Sequence, residues 1–253
     1  MKIRFLGTGT STGVPQIGCG CEVCCSVDPK DRRLRSSVIV EVEGKRLLID
    51  CAPDFRQQML SLPFRKIDGL LLTHEHYDHV GGIDDLRPFS VFGKVDLYME
   101  EHLKHVLRER MPYCFVEHTY RGVPNLSIHT INHIDPFCIG ETEIVPIRVM
   151  HYRLPILGYR IGHFAYLTDV KTLPEASIEK LHGVDTLVIS ALRKSEHISH
   201  QTLDQALQTI EFIRPNSAYL THLSHEMGLH RIVEKELPVN VHIAYDGLEI
   251  SVK

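Results

Sequence analysis

The segment THEHYDHVGG, residues 73 to 82, follows the apolar run GLLL and constrains this chain more than any other stretch. It sets His74, His76, Asp78 and His79, four groups able to ligate a cation, within six residues directly behind a buried strand. In an extended stretch His74 and His76 point to the same side, which suits two imidazoles gripping one ion. A turn then brings Asp78 and His79 together toward a second ion. Two divalent ions about 3.5 to 4 Å apart stabilise both the attacking and the leaving oxygens of an in-line displacement. A polar loop with fortuitous histidines is the alternative, and it needs four ligand types to fall in strict spacing behind an apolar strand by chance.

Around this segment short β-rich runs recur: IRFLG (3–7), SVIVEV (37–42), RLLID (46–50), VDLYM (95–99), TLVIS (186–190), AYLTH (218–222) and LEISV (248–252). In EVEGKRL, Gly44 supplies a strand-turn-strand connection. Helical spacing is clearest after Thr202, where T-x-x-Q to Gln205 forms a capping box and Leu203, Ala206, Leu207, Ile210 and Ile213 share a face. A second helix is expected from Glu100 to Arg110, with Leu103, Val106 and Leu107 inward and His102 and His105 on its solvated surface. This mixture predicts sheets layered with helices. With 253 residues, 43% of them hydrophobic, the chain can bury a full core. No linker or repeat divides it, so residues 1–253 are read as a single domain. Residues 111–142 are the least periodic and are expected to form a surface excursion of the lid or substrate-loop kind.

Four cysteines crowd GCGCEVCC, residues 18 to 25, and the total of seven (19, 21, 24, 25, 51, 114, 138) is odd. The opening run MKIRFLGTGT stops being apolar at Gly7, so neither a signal peptide nor a membrane span is expected there, and a cytoplasmic location follows. In a reducing compartment clustered thiols serve as metal ligands more often than as disulfides. A net charge of -4 gives no global basic field for nucleic acid. KDRRLR (30–35) is brief, carries Asp31 within it, and reads as a solvated loop. GTGTSTG spaces Gly7, Gly9 and Gly13 as G-x-G-x-x-x-G with no helix behind it, which is a tight loop and not a dinucleotide fingerprint.

HEHYDH matches the H-x-H-x-D-H signature of the metallo-β-lactamase superfamily, and LLIDCAPD, MHYRLPILGYRI, YLTDV and YLTHLSH fit its other motifs in order. From FLGTG to YDGLEI the chain resembles that superfamily. The resemblance implies an αββα four-layer sandwich, an α/β (α+β) fold of two β-sheets flanked by helices. It implies His74, His76 and His151 on one ion, Asp78, His79 and His222 on the other, and Asp169 bridging them. Asp50 would orient the ligand loop from behind. Metal-assisted hydrolysis is the expected chemistry, with Asp78 among the catalytic residues. Thioesters, lactams, lactones, RNA and phosphodiesters are all substrates within the superfamily, so the fold does not choose among them.

The cysteines narrow the choice. C-x-C-x2-C soon after the first strand, with THxSH near the end, resembles the phosphoribosyl cyclic phosphodiesterases, the PhnP-like family. That likeness implies a structural zinc held by Cys19, Cys21, Cys24 and His225 in a loop at about 18–36, with Cys25 unassigned. It also matches His200, in SEHISHQTL, to a catalytic histidine, with His197 the competing candidate. The expected function is hydrolysis of a small cyclic sugar-phosphate or nucleotide-like diester by two active-site ions, zinc or manganese. A ribonuclease Z-like nuclease is the alternative, opposed by the acidic balance and by the absence of a basic arm in the sequence. A catalytically silent binding protein is a further one, opposed by a complete ligand set. No membrane or nucleic-acid partner is expected, and a homodimer is left open.

Overall fold

The computed structural model describes residues 1–115 and 122–252. Strands β1 (Lys2–Gly7), β2 (Ser37–Val42) and β3 (Lys45–Ile49) form an antiparallel meander. Glu43 and Gly44 turn the last two strands with φ of 49° and 75°, a two-residue turn whose twist matches that of the strands it joins. β4 (Gly69–Leu71), β5 (Val95–Met99) and β6 (Leu126–Thr130) then add in parallel. The connections carry α1 (Phe55–Met59), α2 (Tyr77–Val80) and α3 (Glu101–Arg110).

The second half repeats the plan. β7 (Phe137–Ile139), β8 (Thr142–His151), β9 (Leu154–Ile161) and β10 (Phe164–Leu167) run antiparallel. β11 (Thr186–Ser190), β12 (Ser217–Thr221) and β13 (Val241–Ile243) follow in parallel, with α4 (Glu175–Glu179), α5 (Leu203–Ile213) and α6 (His230–Glu236) between or around them. β14 (Glu249–Ser251) returns to pair with β1, so that seven described strands make up each sheet.

Alternation along the strands decides the layers. Val38, Val40, Leu47 and Ile49 point at the other sheet and meet Leu157, Tyr159, Phe164, Tyr166 and Val188. Ile39 and Leu48 point the opposite way, beneath Phe55, Leu103 and Leu107. On the second sheet Leu187, Ile189, Ala218 and Leu220 pack under Ala206, Ile210 and Val233 of the helices. Helix, sheet, sheet and helix therefore stack in four layers, as expected. Among the described residues no helix is long and apolar enough to cross a membrane.

Two expectations change. Residues 111–142 are not one surface excursion, because β6 closes an edge of the first sheet and β7 an edge of the second. β6 has one unpaired side and no fully buried residue, and its apolar alternation is limited to Leu126 and Ile128, which pack partly buried against the first sheet's core. Residues 116–121 of that stretch lie outside the described residues. The basic run 30–35 is not simply solvated either, since Asp31 and Arg33 are 2% and 6% exposed.

Candidate metal centre

Side chains from both sheets meet at one end of the sandwich. Asp50 follows β3, His74 lies three residues past β4, His151 ends β8, Asp169 follows β10 and His222 follows β12. Ligand sites of layered α/β proteins sit at such carboxyl ends of strands. Asp50, Asp169 and His222 have φ of 60°, 53° and 56°, a left-handed conformation costly for residues with a Cβ. The backbone turns sharply at these three residues, and that turn directs their side chains across the sheet ends.

Three of the rings are held from behind. The buried Asp50 carboxylate accepts the Thr73 backbone N–H and hydroxyl, each at 2.9 Å, and the His79 Nδ1–H at 2.6 Å. Thr73 Oγ1 also lies 2.9 Å from His74 Nδ1. His151 Nδ1 donates to the carbonyls of Ser199 at 2.9 Å and Asp169 at 3.2 Å. The Thr168 hydroxyl donates to Asp169 Oδ2 at 2.6 Å. With Nδ1 engaged, the second nitrogen of His74, His79 and His151 is left free to face a cation, and partners of this type fix the tautomer and ring orientation of ligating histidines.

The arrangement fits divalent metal. His74 Nε2, His79 Nε2, His200 Nδ1 and His222 Nδ1 are buried without hydrogen-bond partners. His79 Nε2 lies 3.2 Å from both Asp78 Oδ2 and Asp169 Oδ2, yet makes a hydrogen bond with neither. His222 Nε2 stands 3.3 Å from Asp78 and 3.4 Å from Asp169. Ligand atoms of three sets come within 4.8 Å of one another: His74, His79 and Asp169; Asp78, His79 and His222; His151, Asp169 and His200. The second is the set expected around one ion. For the other ion, His76 joins none of the three sets and is exposed. Its ring centroid nevertheless lies 4.6 Å from that of His74 and 5.1 Å from that of His151.

Electrostatics follow from crowding. Burial alone would raise Asp78 and Asp169, but the imidazoles of His79 and His222 hold both well below the usual carboxylate range. Burial would lower His79, but Asp78, Asp169 and Asp50 raise it well above the ordinary imidazole value. His74 goes well below that value through burial and the neighbouring His79.

His200 sits just ahead of α5, whose Thr202 cap accepts the Gln205 N–H while Gln205 accepts the Thr202 N–H, the capping box read from the sequence. Its buried ring is 3.7 Å from Asp169 and 4.6 Å, centroid to centroid, from His151. Burial pushes its imidazole down to about 3. The competing His197 is only half-buried, and its Nδ1 accepts the Ser199 N–H at 3.3 Å. Sequence reasoning missed Thr73, Thr168 and the Ser199 carbonyl. Thr73 stands next to His74 and Thr168 next to Asp169, and adjacency to a ligand was the signal available for both.

The thiol cluster forms a second centre. Cys19, Cys21, Cys24 and His225 bring their ligand atoms within 4.8 Å of one another, and all seven cysteines are unpaired. Cys21 Sγ lies 3.4 Å from His225 Nδ1 while His225 Nε2 is tied to Gln16 Oε1 at 3.1 Å. The backbone N–H of Cys24 helps lower Cys21 to about 6, and burial pushes Cys24 up to about 11. Backbone bonds from Thr10 to Leu223 (3.0 Å) and from Leu223 to Thr8 (2.9 Å) join the N-terminal loop to the turn bearing His222 and His225. Cys25 is exposed and outside the cluster.

Residues 45–223 match the family model described as the beta-lactamase superfamily domain. The chain is 45% identical over 251 residues to the octanoyltransferase of Porphyromonas gingivalis, an alignment covering 98% of this chain and 51% of that protein. It is 36% identical over 106 residues to the coenzyme PQQ synthesis protein B of Methylobacterium nodulans, covering 36% of each. The chain thus spans about half the length, or less, of these curated relatives. A diphosphatase from the PhnP family superposes with a TM-score of 0.92 at 40% identity, covering 98% of this chain and 96% of that one. Zinc-bound PqqB from Methylobacterium extorquens (TM-score 0.80, 17% identity, 100% of both chains) shares the fold. So does the short form of human tRNase Z (TM-score 0.72, 20% identity, 100% of both chains).

Proposed function

The chain belongs to the beta-lactamase superfamily and within it to the PhnP family, and we propose that this metal-dependent hydrolase cleaves a small phosphoric diester. A cyclic sugar phosphate or a nucleotide-like diester is the substrate class we assign. The observation that carries the reading is the ring of buried imidazole nitrogens without partners around Asp169. Likeness to a PhnP-family diphosphatase along nearly the whole chain supports phosphoryl chemistry over the other chemistries of the fold.

His74, His76 and His151 would hold one divalent ion and Asp78, His79 and His222 another, with Asp169 between them. Zinc and manganese both suit a His/Asp set, and availability decides. When bound, such ions bring the pKa of water toward neutrality and neutralise charge growing on phosphoryl oxygens. The protein's own part is orientation. Asp50 and Thr73 hold the rings of His79 and His74, the Ser199 carbonyl holds His151, and the ionised Asp78 and Asp169 balance the cations. His200, neutral and buried beside Asp169, would present its remaining ring N–H to the leaving oxygen. Cys19, Cys21, Cys24 and His225 would hold a structural zinc, and a reducing cytoplasm suits such a thiol set. We propose no membrane or nucleic-acid partner.

A hydrolysis panel of the metal-reconstituted protein tests the reading, with cyclic nucleotides, ribose cyclic phosphates, a diphosphate, an octanoyl thioester and pre-tRNA. Turnover is expected for the phosphoryl substrates of small size. Preferred cleavage of pre-tRNA, or of the thioester, would overturn it. Elemental analysis of protein purified without chelator should find three ions per chain, and a single ion would sink that count.

The thiol centre yields a separate prediction. Cys21→Ser should lower the Tm by about 5 to 10 °C through loss of the metal staple while changing kcat little at low temperature. Differential scanning fluorimetry and a diester assay check it. A normal Tm with activity lost would contradict a structural role.

A further inference from the structure

Lys171 lies two residues beyond Asp169 and points its ammonium into the loop that carries His200. Nζ has oxygen acceptors on four residues: the His197 carbonyl at 2.8 Å, the His200 carbonyl at 3.3 Å, Gln205 Oε1 at 3.4 Å and Glu196 Oε2 at 3.5 Å. The side chain is 22% exposed. Glu196 is 75% exposed, so its ion pair adds little, and the carbonyls and Gln205 carry the contact.

The backbone on either side of Lys171 is equally engaged. Lys171 N–H and Thr172 N–H donate to the Met150 carbonyl at 2.9 and 3.1 Å, and Met150 N–H donates back to Thr172 at 3.0 Å. Gln201 N–H donates to the Val170 carbonyl at 2.7 Å. Residues 170–172 therefore touch the neighbours of His151, the loop of His200 and the turn of Asp169 at once.

Residues 197–200 contain no helix or strand, so their carbonyls have no ladder to satisfy them. An ammonium with three donors on a flexible stem can collect several of them. The same short loop supplies the Ser199 carbonyl to His151 and the ring of His200 to the space above Asp169.

We propose that Lys171 is a positioning residue whose ammonium clamps residues 197–200, holding both His200 and the carbonyl that orients His151. The inference rests on the reading above, in which His200 acts at the leaving oxygen. A displacement of about 1 Å in such a group can cost on the order of 10²-fold in rate.

The test uses the metal-loaded chain of residues 1–253 as wild type, K171M, K171R, H200A and the K171M/H200A double variant. Two diesters are compared, a ribose cyclic phosphate whose alkoxide needs a proton to leave and bis(p-nitrophenyl) phosphate whose phenolate does not. K171M and H200A should each lose kcat by about 10²-fold on the first and by a clearly smaller factor on the second, with KM and metal content retained. K171R should recover most of the loss, and the double variant should be no worse than H200A. Imidazole ¹⁵N resonances of His151 and His200 should move in K171M and return in K171R. Wild-type rates in K171M, equal losses on both substrates with a lower Tm, or additive losses in the double variant would overturn the clamp. Unmoved resonances would overturn it whatever the kinetics. H200A without a leaving-group preference would instead overturn the role given to His200, and the resonances would still decide on Lys171.

Discussion

Asp169→Ala should reduce turnover of bis(p-nitrophenyl) phosphate by about 10³-fold or more, to the background of the assay, in a protein that stays folded. Among the described residues Asp169 is the carboxylate whose two oxygens face different histidine groups: Oδ1 lies 3.4 Å from His222 and 3.7 Å from His200, and Oδ2 lies 3.2 Å from His79. In the bridging role proposed for Asp169 an imidazole would have to lose its last proton. The charge stabilisation supplied by bound ions amounts to several kcal/mol, and about 1.4 kcal/mol corresponds to tenfold in rate. Alanine at φ 53° costs about 1 to 2 kcal/mol, too little to unfold a domain of ordinary stability. Steady-state kinetics, elemental analysis and circular dichroism on Asp169→Ala and Asp169→Asn check this. Unchanged turnover in either variant would rule out the assigned site.

The largest effect on stability should come from Arg33. Its guanidinium donates to Thr8 Oγ1 at 2.8 Å and to the Ala244 carbonyl at 2.5 Å, and lies 3.5 Å from His230 Nδ1. Burial pulls it down to about 10, against the opposing pull of Asp246 and Asp31, so it remains a cation at neutral pH. Arg33→Met keeps the stem but leaves those acids without their buried counter-charge, a loss of about 3 to 5 kcal/mol. For a chain of this size that is a Tm lowered by about 6 to 20 °C.

The pH dependence has a definite sign. Burial pushes the Asp246 carboxyl from 3.8 up to about 6, even with Arg33 beside it. Between those values the folded state binds more protons than the unfolded chain, so the contribution of Asp246 to stability falls as pH rises across that window and is level above it. Without Arg33 the folded-state value rises further, and the loss continues to higher pH. Arg33→Met should therefore be more destabilised at pH 8 than at pH 5, and Asp246→Asn should remove most of the difference. Urea denaturation of the three proteins at both pH values measures this, and a pH-independent deficit would mean that Arg33 acts through packing alone.

Arg33 also shows where sequence reading stops. KDRRLR looks solvated because charge usually is, and the groups that bury Arg33 lie at positions 8, 230, 244 and 246, too remote to form a local pattern. Local rules did reach other features. The capping box at Thr202 and the Gly44 turn follow from short-range chemistry, and sheets layered with helices from the mixture of short strands and helical spacing, whereas the four-layer stack was legible only through the resemblance. His74, His76, Asp78, His79 and the clustered cysteines were legible because imidazoles, carboxylates and thiols at tight spacing have few other uses, while His151, Asp169, His222 and His225, scattered along the chain, were legible only through the resemblance. Ser199 and Lys171 were not, since a backbone carbonyl and an ordinary lysine carry no signal until the fold sets them beside His151 and His200. β6 escaped notice because its alternation rests on only two apolar residues, Leu126 and Ile128, in a half-covered edge strand.

The ligand-type residues are divided between the halves of the sandwich: His74, His76, Asp78 and His79 follow β4 of the first sheet, whereas His151, Asp169 and His222 come from the second. An ion held among them would thus cross-link two sheets that are otherwise joined by side-chain packing and by a few hydrogen bonds such as Leu157 N–H to Thr73 and Tyr159 hydroxyl to Leu72. With the ligands assigned as proposed, neither half would supply all of them to either ion, so bound metal would favour the folded, assembled sandwich by mass action, by about 2.7 kcal/mol when free metal stands at a hundred times its Kd. The cation that serves the chemistry would also act as a rivet for the fold, and chelation would be felt first as loosening between the sheets.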